Sequence, residues 1–261
     1  MKRIISALFL LPTLYIYIMY LPPVYFLIII CIVAFITQVE FLSMYNSNFI
    51  SKYAFSLFTL GFLYTTYSYN SSILIHLFVL AFIVILILRL FVKRKTENAL
   101  YDIAPLWAGF FYITVLISFL IKLRAIAPEV VIYLLAVIWG ADSFALYVGK
   151  AIGKRKLYEE VSPNKTLAGA FGAIVGGIIV SMLVGVYFKF PVDIIKLFFT
   201  GIILALTGIV GDLVESMFKR DANVKDSGSF IPGHGGLLDK IDGTLFAAPV
   251  LYYMIKFFQI F

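Results

Sequence analysis

Charge is scarce in this sequence, and that scarcity removes the largest class of explanations. Asp, Glu, Lys and Arg make up only 13% of the 261 residues, about half the share in an ordinary soluble domain. Hydrophobic residues reach 62% and mean hydropathy is +1.02, so the chain reads as an integral membrane protein rather than a water-soluble globule. Cysteine is nearly absent. Cys31 stands alone in an apolar run, which excludes a disulfide framework and a thiolate metal centre. Solenoid-type repeats, low-complexity tracts and a polar segment long enough for a soluble domain are missing too. The Gly149-Lys150 and Gly153-Lys154 pairs lack the spacing of a P-loop. The formal charge of +7 would suggest nucleic acid in a soluble protein. Here the cations sit in short loops beside apolar spans, where orientation and anionic lipid headgroups account for them, and no nucleic-acid partner is expected.

What is present is a series of apolar runs. Crossing a hydrocarbon core of about 30 Å takes about 20 residues. On that basis spans fall near 4–20, 22–44, 52–69, 71–92, 102–121, 128–149, 167–188, 192–217 and 241–260, an all-α fold of about nine transmembrane helices. Lys2, Arg3, Lys52, Lys93, Arg94, Lys95, Lys150, Lys154, Arg155, Lys156, Lys165, Lys219, Arg220, Lys225 and Lys240 then share one side. Lys122, Arg124, Lys189, Lys196 and Lys256 lie at the other. The positive-inside rule makes the first side, with the N-terminus, cytoplasmic. Lys2-Arg3 and its apolar run lack a clean small-residue cleavage site, so they read as a retained first helix, turned by Leu21-Pro22-Pro23. Glu40 and Arg89, near the inner ends of their spans, read as snorkelling or paired groups, and the isolated His76 as a hydrogen-bonded packing residue.

Polar residues concentrate between Ser216 and Asp242. Lys219, Arg220, Lys225 and Lys240 alternate there with Asp221, Asp226, Asp239 and Asp242, and His234 sits among Gly228, Pro232, Gly233, Gly235 and Gly236. The glycines and proline break any regular helix and let backbone N–H groups approach a ligand. Cations beside clustered carboxylates suit a phosphate-bearing substrate accompanied by a divalent metal. Asp239 and Asp242 are three apart in the first turn of the last helix. Asp212, Glu215 and Ser216 share a face of the preceding one. A divalent ion would relieve the repulsion, with Asp212, Asp226 and Asp142 available to complete an oxygen shell. Asp142, beside Ser143 inside a span, needs a partner, water or an ion. Ser162-Pro-Asn-Lys165-Thr166 precedes a helix: Ser162 or Thr166 can cap it, and its positive end with Lys165 can hold phosphate. Gly172, Gly176 and Gly177 read as close-packing positions, with Gly169 set apart from them.

At these residues the chain resembles the phosphatidate cytidylyltransferase (CDP-diacylglycerol synthase) family. Ser216, Phe218, Lys219, Arg220, Lys225, Asp226, Gly228, Ile231, Pro232, His234, Gly235, Gly236, Leu237, Asp239, Ile241 and Asp242 fall in register with its signature. Lys240 stands where the family usually has Arg, which keeps the charge and loses the bidentate fork. Ala168 stands where the family commonly has Glu. Asp142-Ser143, the Ser162–Thr166 turn and Gly211–Ser216 also resemble family segments.

The resemblance implies conversion of CTP and phosphatidic acid to CDP-diacylglycerol and pyrophosphate at the cytoplasmic face of the cell (inner or plasma) membrane. It implies Mg2+, a second cation such as K+, and a homodimer. Residues 1–125 would be N-terminal transmembrane helices. Residues 126–261 would form the transmembrane catalytic region around a polar, cytoplasmic-side cavity. In that scheme Asp226, Asp239 and Asp242, with Asp212 and Asp142, hold metal. Lys165, Lys219, Arg220 and Lys225 bind phosphate, aided by Ser162, Thr166, Ser216, Gly235, Gly236 and Lys240. His234 hydrogen-bonds phosphate or the leaving group. The alternatives are a CTP-dependent enzyme for another lipid phosphate or a polyprenyl alcohol, and a transporter. Against the transporter, the charges gather at one face rather than at midplane on broken helices. A CDP-alcohol phosphotransferase would carry Asp-Gly-x-x-Ala-Arg, which is missing.

Overall fold

A chain that spends most of its length in hydrocarbon must satisfy its peptide groups within each segment, and the helix is the local solution. The structure, a computed structural model, describes residues 12–68, 71–93, 96–228 and 235–258, with backbone only at 71, 72, 92 and 93. Helices follow one another as α1 (12–20), α2 (Pro23–Met44), α3 (Phe49–Tyr67), α4 (Ser71–Lys93) and α5 (Ala99–Gly109). They continue as α6 (Leu116–Ile126), α7 (Pro128–Ile152), α8 (Leu167–Tyr187), α9 (Ile194–Asp221) and α10 (Leu238–Phe258). A π-helical turn, Phe110–Val115, links α5 and α6 into one apolar run, Ala99–Ile126.

Among the described residues seven helices are long and apolar enough to cross a bilayer, which makes this a multi-pass, all-α membrane protein. The expected third span does form a helix, α3, but Lys52 and its Ser, Thr and Tyr residues keep it out of that set. The expected first span, 4–20, lies partly outside the described residues. Boundaries moved where the sequence shows no breaker. Helix α9 runs on to Asp221, so Lys219 and Arg220 are helical. The turn ending it places Asn223 at φ 55, with Val224 N–H on the Lys219 carbonyl (2.9 Å) and Asn223 N–H on that of Arg220 (3.0 Å). Asparagine tolerates this left-handed position better than most residues. Helix α10 starts at Leu238, three residues before the expected start near 241, and Asp239 lies in its first turn.

A short antiparallel hairpin precedes α8, where the sequence suggested a plain turn. Strand β1 (Lys156–Tyr158) pairs with β2 (Ser162–Thr166), Lys156 opposite Thr166 and Tyr158 opposite Ser162. Of the two candidate caps, Thr166 takes the position: its Oγ1 accepts from Gly169 N–H at 3.0 Å.

The chain packs as two units, one of Met1–Phe26, Leu123–Met217 and Asp242–Phe261, the other of Leu27–Lys122 and Phe218–Ile241. In the first, α7, α8 and α9 meet through small residues, with Ala141, Ala173 and Ala205 at the centre. A Cβ on Gly177 would stand 2.7 Å from the Gly201 carbonyl oxygen, and one on Gly176 would run into Phe144. Gly169, expected to differ, packs in the same way against Ala145 and Gly149. Such backbone proximity is how helices gain contact where lipid tails supply no hydrophobic drive. Tyr133 and Ser181 add a buried hydrogen bond of 2.6 Å, and Ser181 passes it to the Leu197 carbonyl. Gly177→Val is therefore expected to destabilise the protein by about 2–3 kcal/mol through overpacking. A thermal melt of detergent-solubilised protein checks this, and an unchanged midpoint would remove the close-packing account of α8 and α9.

In the second unit, the core is aromatic. Phe55, Phe62, Phe78 and Trp107 surround Phe110, and Phe41 packs edge-on against Phe218. Arg89 is paired as expected, with Asp102 at 2.7 Å.

Candidate active site

Three carboxylates converge in the first unit. Asp212 and Glu215 project from one face of α9, Asp242 from α10, and one oxygen of each lies within 4.8 Å of the others. Gly211 permits this approach: a Cβ there would stand 2.7 Å from the Asp242 carbonyl oxygen. Glu215 is buried to 1% exposure, while Asp212 and Asp242 are partly exposed. Lys165, brought in by β2, pairs with Asp212 at 2.6 Å. Asp142 lies within electrostatic reach of Asp212 and Lys165. Ser216 is 3.5 Å from Asp212.

At an effective dielectric of about 20, two carboxylates this close repel by about 3 kcal/mol, and three such repulsions outweigh the attraction of the single Lys165–Asp212 pair. All the donors are oxygen, which suits a hard divalent cation and not a soft one. The residues present therefore fit a metal. Glu215 belongs to this group, although the sequence suggested only that it shares a face with Asp212. The i, i+3 spacing from Asp212 was the available signal.

The second unit contains a different cluster, built around Asp239. Its Oδ1 accepts from Lys219 Nζ at 2.6 Å. Its Oδ2 accepts from Gly236 N–H (2.8 Å), Ser227 Oγ (3.0 Å) and Ser227 N–H (3.3 Å). Lys219 and Asp239 are both nearly buried, at 11% and 12% side-chain exposure. Asp239 thus clasps the two ends of the polar stretch together. Gly235 adopts φ +84, and a Cβ there would meet Asp239 Oδ2 at 2.8 Å, with Asp226 the next neighbour. Gly236 has no room for a side chain either, because Ser227 Oγ and Glu40 Oε2 stand where its Cβ would be.

Glu40 was not read from the sequence as a partner of this turn. It reaches from α2 to take both Leu237 N–H (Oε1, 2.9 Å) and Leu238 N–H (Oε2, 2.9 Å) at the start of α10. A Glu inside an apolar span has to find donors, and the exposed amides of a helix N-terminus are ready ones. That much was readable; the partner was not.

Lys225, Asp226 and Lys240 are exposed. Arg220 donates to the Val224 carbonyl at 3.0 Å and helps close the end of α9. Ser162 is a strand residue and Thr166 a helix cap. His234 lies outside the described residues. Tyr45, in the turn after α2, donates to Asp221 at 2.8 Å. Burial, and then that bond, hold its phenol well above the ordinary tyrosine range, so it stays a donor at neutral pH.

The phosphatidate cytidylyltransferase of Bacillus subtilis (strain 168) is 37% identical over 181 residues, 68% of this chain and 67% of that protein. The enzyme of the same name from Synechocystis sp. is 42% identical over 126 residues, covering 48% and 43%. That of Staphylococcus saprophyticus is 34% identical over 164 residues, 63% of each chain. The matches thus span roughly two-fifths to two-thirds of the relatives' own length. The signature of the cytidylyltransferase family is met across residues 1–258, and the chain belongs to that family.

Proposed function

We propose that the protein is a CTP:phosphatidate cytidylyltransferase. The observation that carries the reading is the Asp212, Glu215 and Asp242 group beside Lys165 in a membrane chain of this family. The names of the similar proteins support phosphatidate as the acceptor. In the reaction an ionised oxygen of the lipid phosphate attacks the α-phosphorus of CTP. The bond to the β-phosphate oxygen breaks, and pyrophosphate leaves with the electron pair. Both reactants are strongly anionic, so bringing them together is the main obstacle, and the residues that neutralise charge carry the catalysis. No general base is needed, because the attacking oxygen is already deprotonated near neutral pH.

Asp212, Glu215 and Asp242 would hold Mg2+, with Asp142 nearby. Bound there, the ion supplies charge neutralisation on the transferring phosphoryl group. Lys225 and Lys240, both exposed, would take phosphate oxygens. Lys165 holds the charge of Asp212, and Lys219 that of Asp239; in this reading each can transfer its hydrogen bond to an incoming phosphate. Asp226, Arg220, His234 and the hydroxyls of Ser162, Thr166 and Ser216 complete the proposed set. The distribution of Lys and Arg supports nine spans with the N-terminus and the site cytoplasmic in the cell membrane. A homodimer and a second cation such as K+ belong to the same reading.

Purified protein in detergent or nanodiscs, given CTP, phosphatidate and Mg2+, is expected to yield CDP-diacylglycerol and pyrophosphate in equal amounts by mass spectrometry. Chelation with EDTA should stop turnover, and Mg2+ should restore it. Product from an archaeol-type lipid phosphate or a polyprenyl alcohol, with none from phosphatidate, would replace the acceptor. CTP left intact with every acceptor would remove the enzyme reading.

A further inference from the structure

Glu40 is a buried carboxylate for which the proposed chemistry has no use, and it is 7% exposed on a helix otherwise made of apolar and neutral residues. Among the described residues, its two oxygens are paired with backbone amides and with no cation. Both are spent on consecutive backbone amides, Leu237 and Leu238, at the N-terminus of α10. The surroundings are cut to fit it. A Cβ on Gly228 would stand 2.7 Å from Oε1, and one on Gly236 would stand 2.8 Å from Oε2. Gly228 and Gly236 are therefore positions at which any side chain would collide with this carboxylate. Asp239 takes the next amide back, that of Gly236, and the Ser227 amide on the other side.

Two consequences follow from ordinary hydrogen-bond accounting. The amides of Gly236, Leu237 and Leu238, which a glycine-rich turn at a helix start would otherwise offer to a phosphate, are already held by protein carboxylates. The turn is also fixed from two independent directions: by Glu40 on α2, far away in sequence, and by Asp239 on α10 itself.

We propose that Glu40 is a positioning residue. It locks the Gly236–Leu238 turn and the first turn of α10, and so sets where Asp239 and its partner Lys219 stand, and it keeps these backbone amides out of nucleotide binding. The chain thereby grips CTP phosphates with side chains and not with this turn. The kinetic part rests on the cytidylyltransferase reading above; the structural part does not. Glutamine is the decisive substitution. It preserves size, but it has one acceptor oxygen where two are needed, and its NH2 would face a backbone N–H, donor against donor.

Glu40→Gln is expected to lower kcat with CTP and phosphatidate by about 10–100-fold, the scale of a displaced catalytic group. KM for CTP should stay within about threefold. Hydrogen–deuterium exchange of the protein in nanodiscs, read on peptides covering 235–240, should speed up by about tenfold or more. Glu40→Asp, which keeps the charge but is one methylene short, should fall between Glu40→Gln and wild type in both readouts. Wild-type kcat and wild-type exchange in Glu40→Gln would overturn the assignment. A clear rise in KM for CTP would overturn the claim that these amides are withheld from phosphate, since disturbing the turn would then weaken binding. If Glu40→Gln fails to accumulate, the exchange of Glu40→Asp decides: protection equal to wild type sinks the proposal. If wild-type protein itself turns over no CTP, the functional reading has failed, and the exchange experiment still tests the locking role by itself.

Discussion

Asp242→Asn is expected to lower CTP-dependent turnover by on the order of 10³-fold, the cost of removing one well-placed charge from a phosphoryl-transfer site. Residual turnover should require more Mg2+ than wild type. Asparagine has the same shape, and its Oδ1 can still accept from Gly243 N–H, the 2.8 Å bond that Asp242 makes. Packing and membrane insertion should therefore be untouched, and the loss can be assigned to charge. Removing one of three mutually repelling carboxylates also leaves Asp212 and Glu215 less strained in the metal-free protein, so thermal stability without Mg2+ should hold or rise slightly. The measurement is a Mg2+ titration of turnover alongside a thermal melt. Turnover above a tenth of wild type, with an unchanged Mg2+ requirement, would exclude Asp242 from the metal shell.

Asp239→Asn should abolish turnover as well, but for a different physical reason, and the two can be separated. Asp239 receives four donors: the Lys219 ammonium, the Ser227 hydroxyl and the amides of Ser227 and Gly236. Asparagine presents an NH2 to one of them and leaves the nearly buried Lys219 charge without its counter-ion. Removing one partner of such a pair costs about 3 kcal/mol. The polar stretch should then open, with faster exchange across 225–240 and easier proteolysis, whereas Asp242→Asn should leave it closed. Pairing Asp239→Asn with Lys219→Met removes the stranded charge. The double variant should recover most of the lost protection while remaining inactive, and this non-additivity is what a coupled pair produces. If Asp239 instead served mainly as a metal ligand, its loss would shift the Mg2+ requirement as Asp242→Asn does, and Lys219→Met would rescue nothing.

The sequence was informative wherever the physics is local. Apolar runs of bilayer length announced the spans, because a membrane leaves the backbone only one cheap conformation. Thr166 was among the candidate caps, since capping acts over three or four residues. The acidic character of the site was visible in Asp212, Asp239 and Asp242, and so was the chemistry it suits. Limits appeared at the first non-local step. Asp226, Asp239 and Asp242 looked alike as site aspartates in the sequence. The fold instead gives Asp242 to Asp212 and Glu215, gives Asp239 to Lys219 and Ser227, and leaves Asp226 exposed beside Gly235. The i, i+3 spacing of Asp239 and Asp242 could not predict that division, because it depends on what each side chain meets from other segments. Glu40 illustrates the same limit from the other direction. Its need for donors was plain from its place in an apolar helix, but its partners are almost two hundred positions away along the chain (|i−j| = 197 and 198).

From the sequence alone came the membrane class, the helical segments and the inventory of charges, since each is set by composition or by neighbours within a helical turn or two. Only the tertiary structure decided which carboxylates share an ion-sized space and which are consumed as internal hydrogen-bond acceptors. A charge's role depends on the donors and charges within a few ångströms of it, and in this protein those are supplied by segments far apart along the chain.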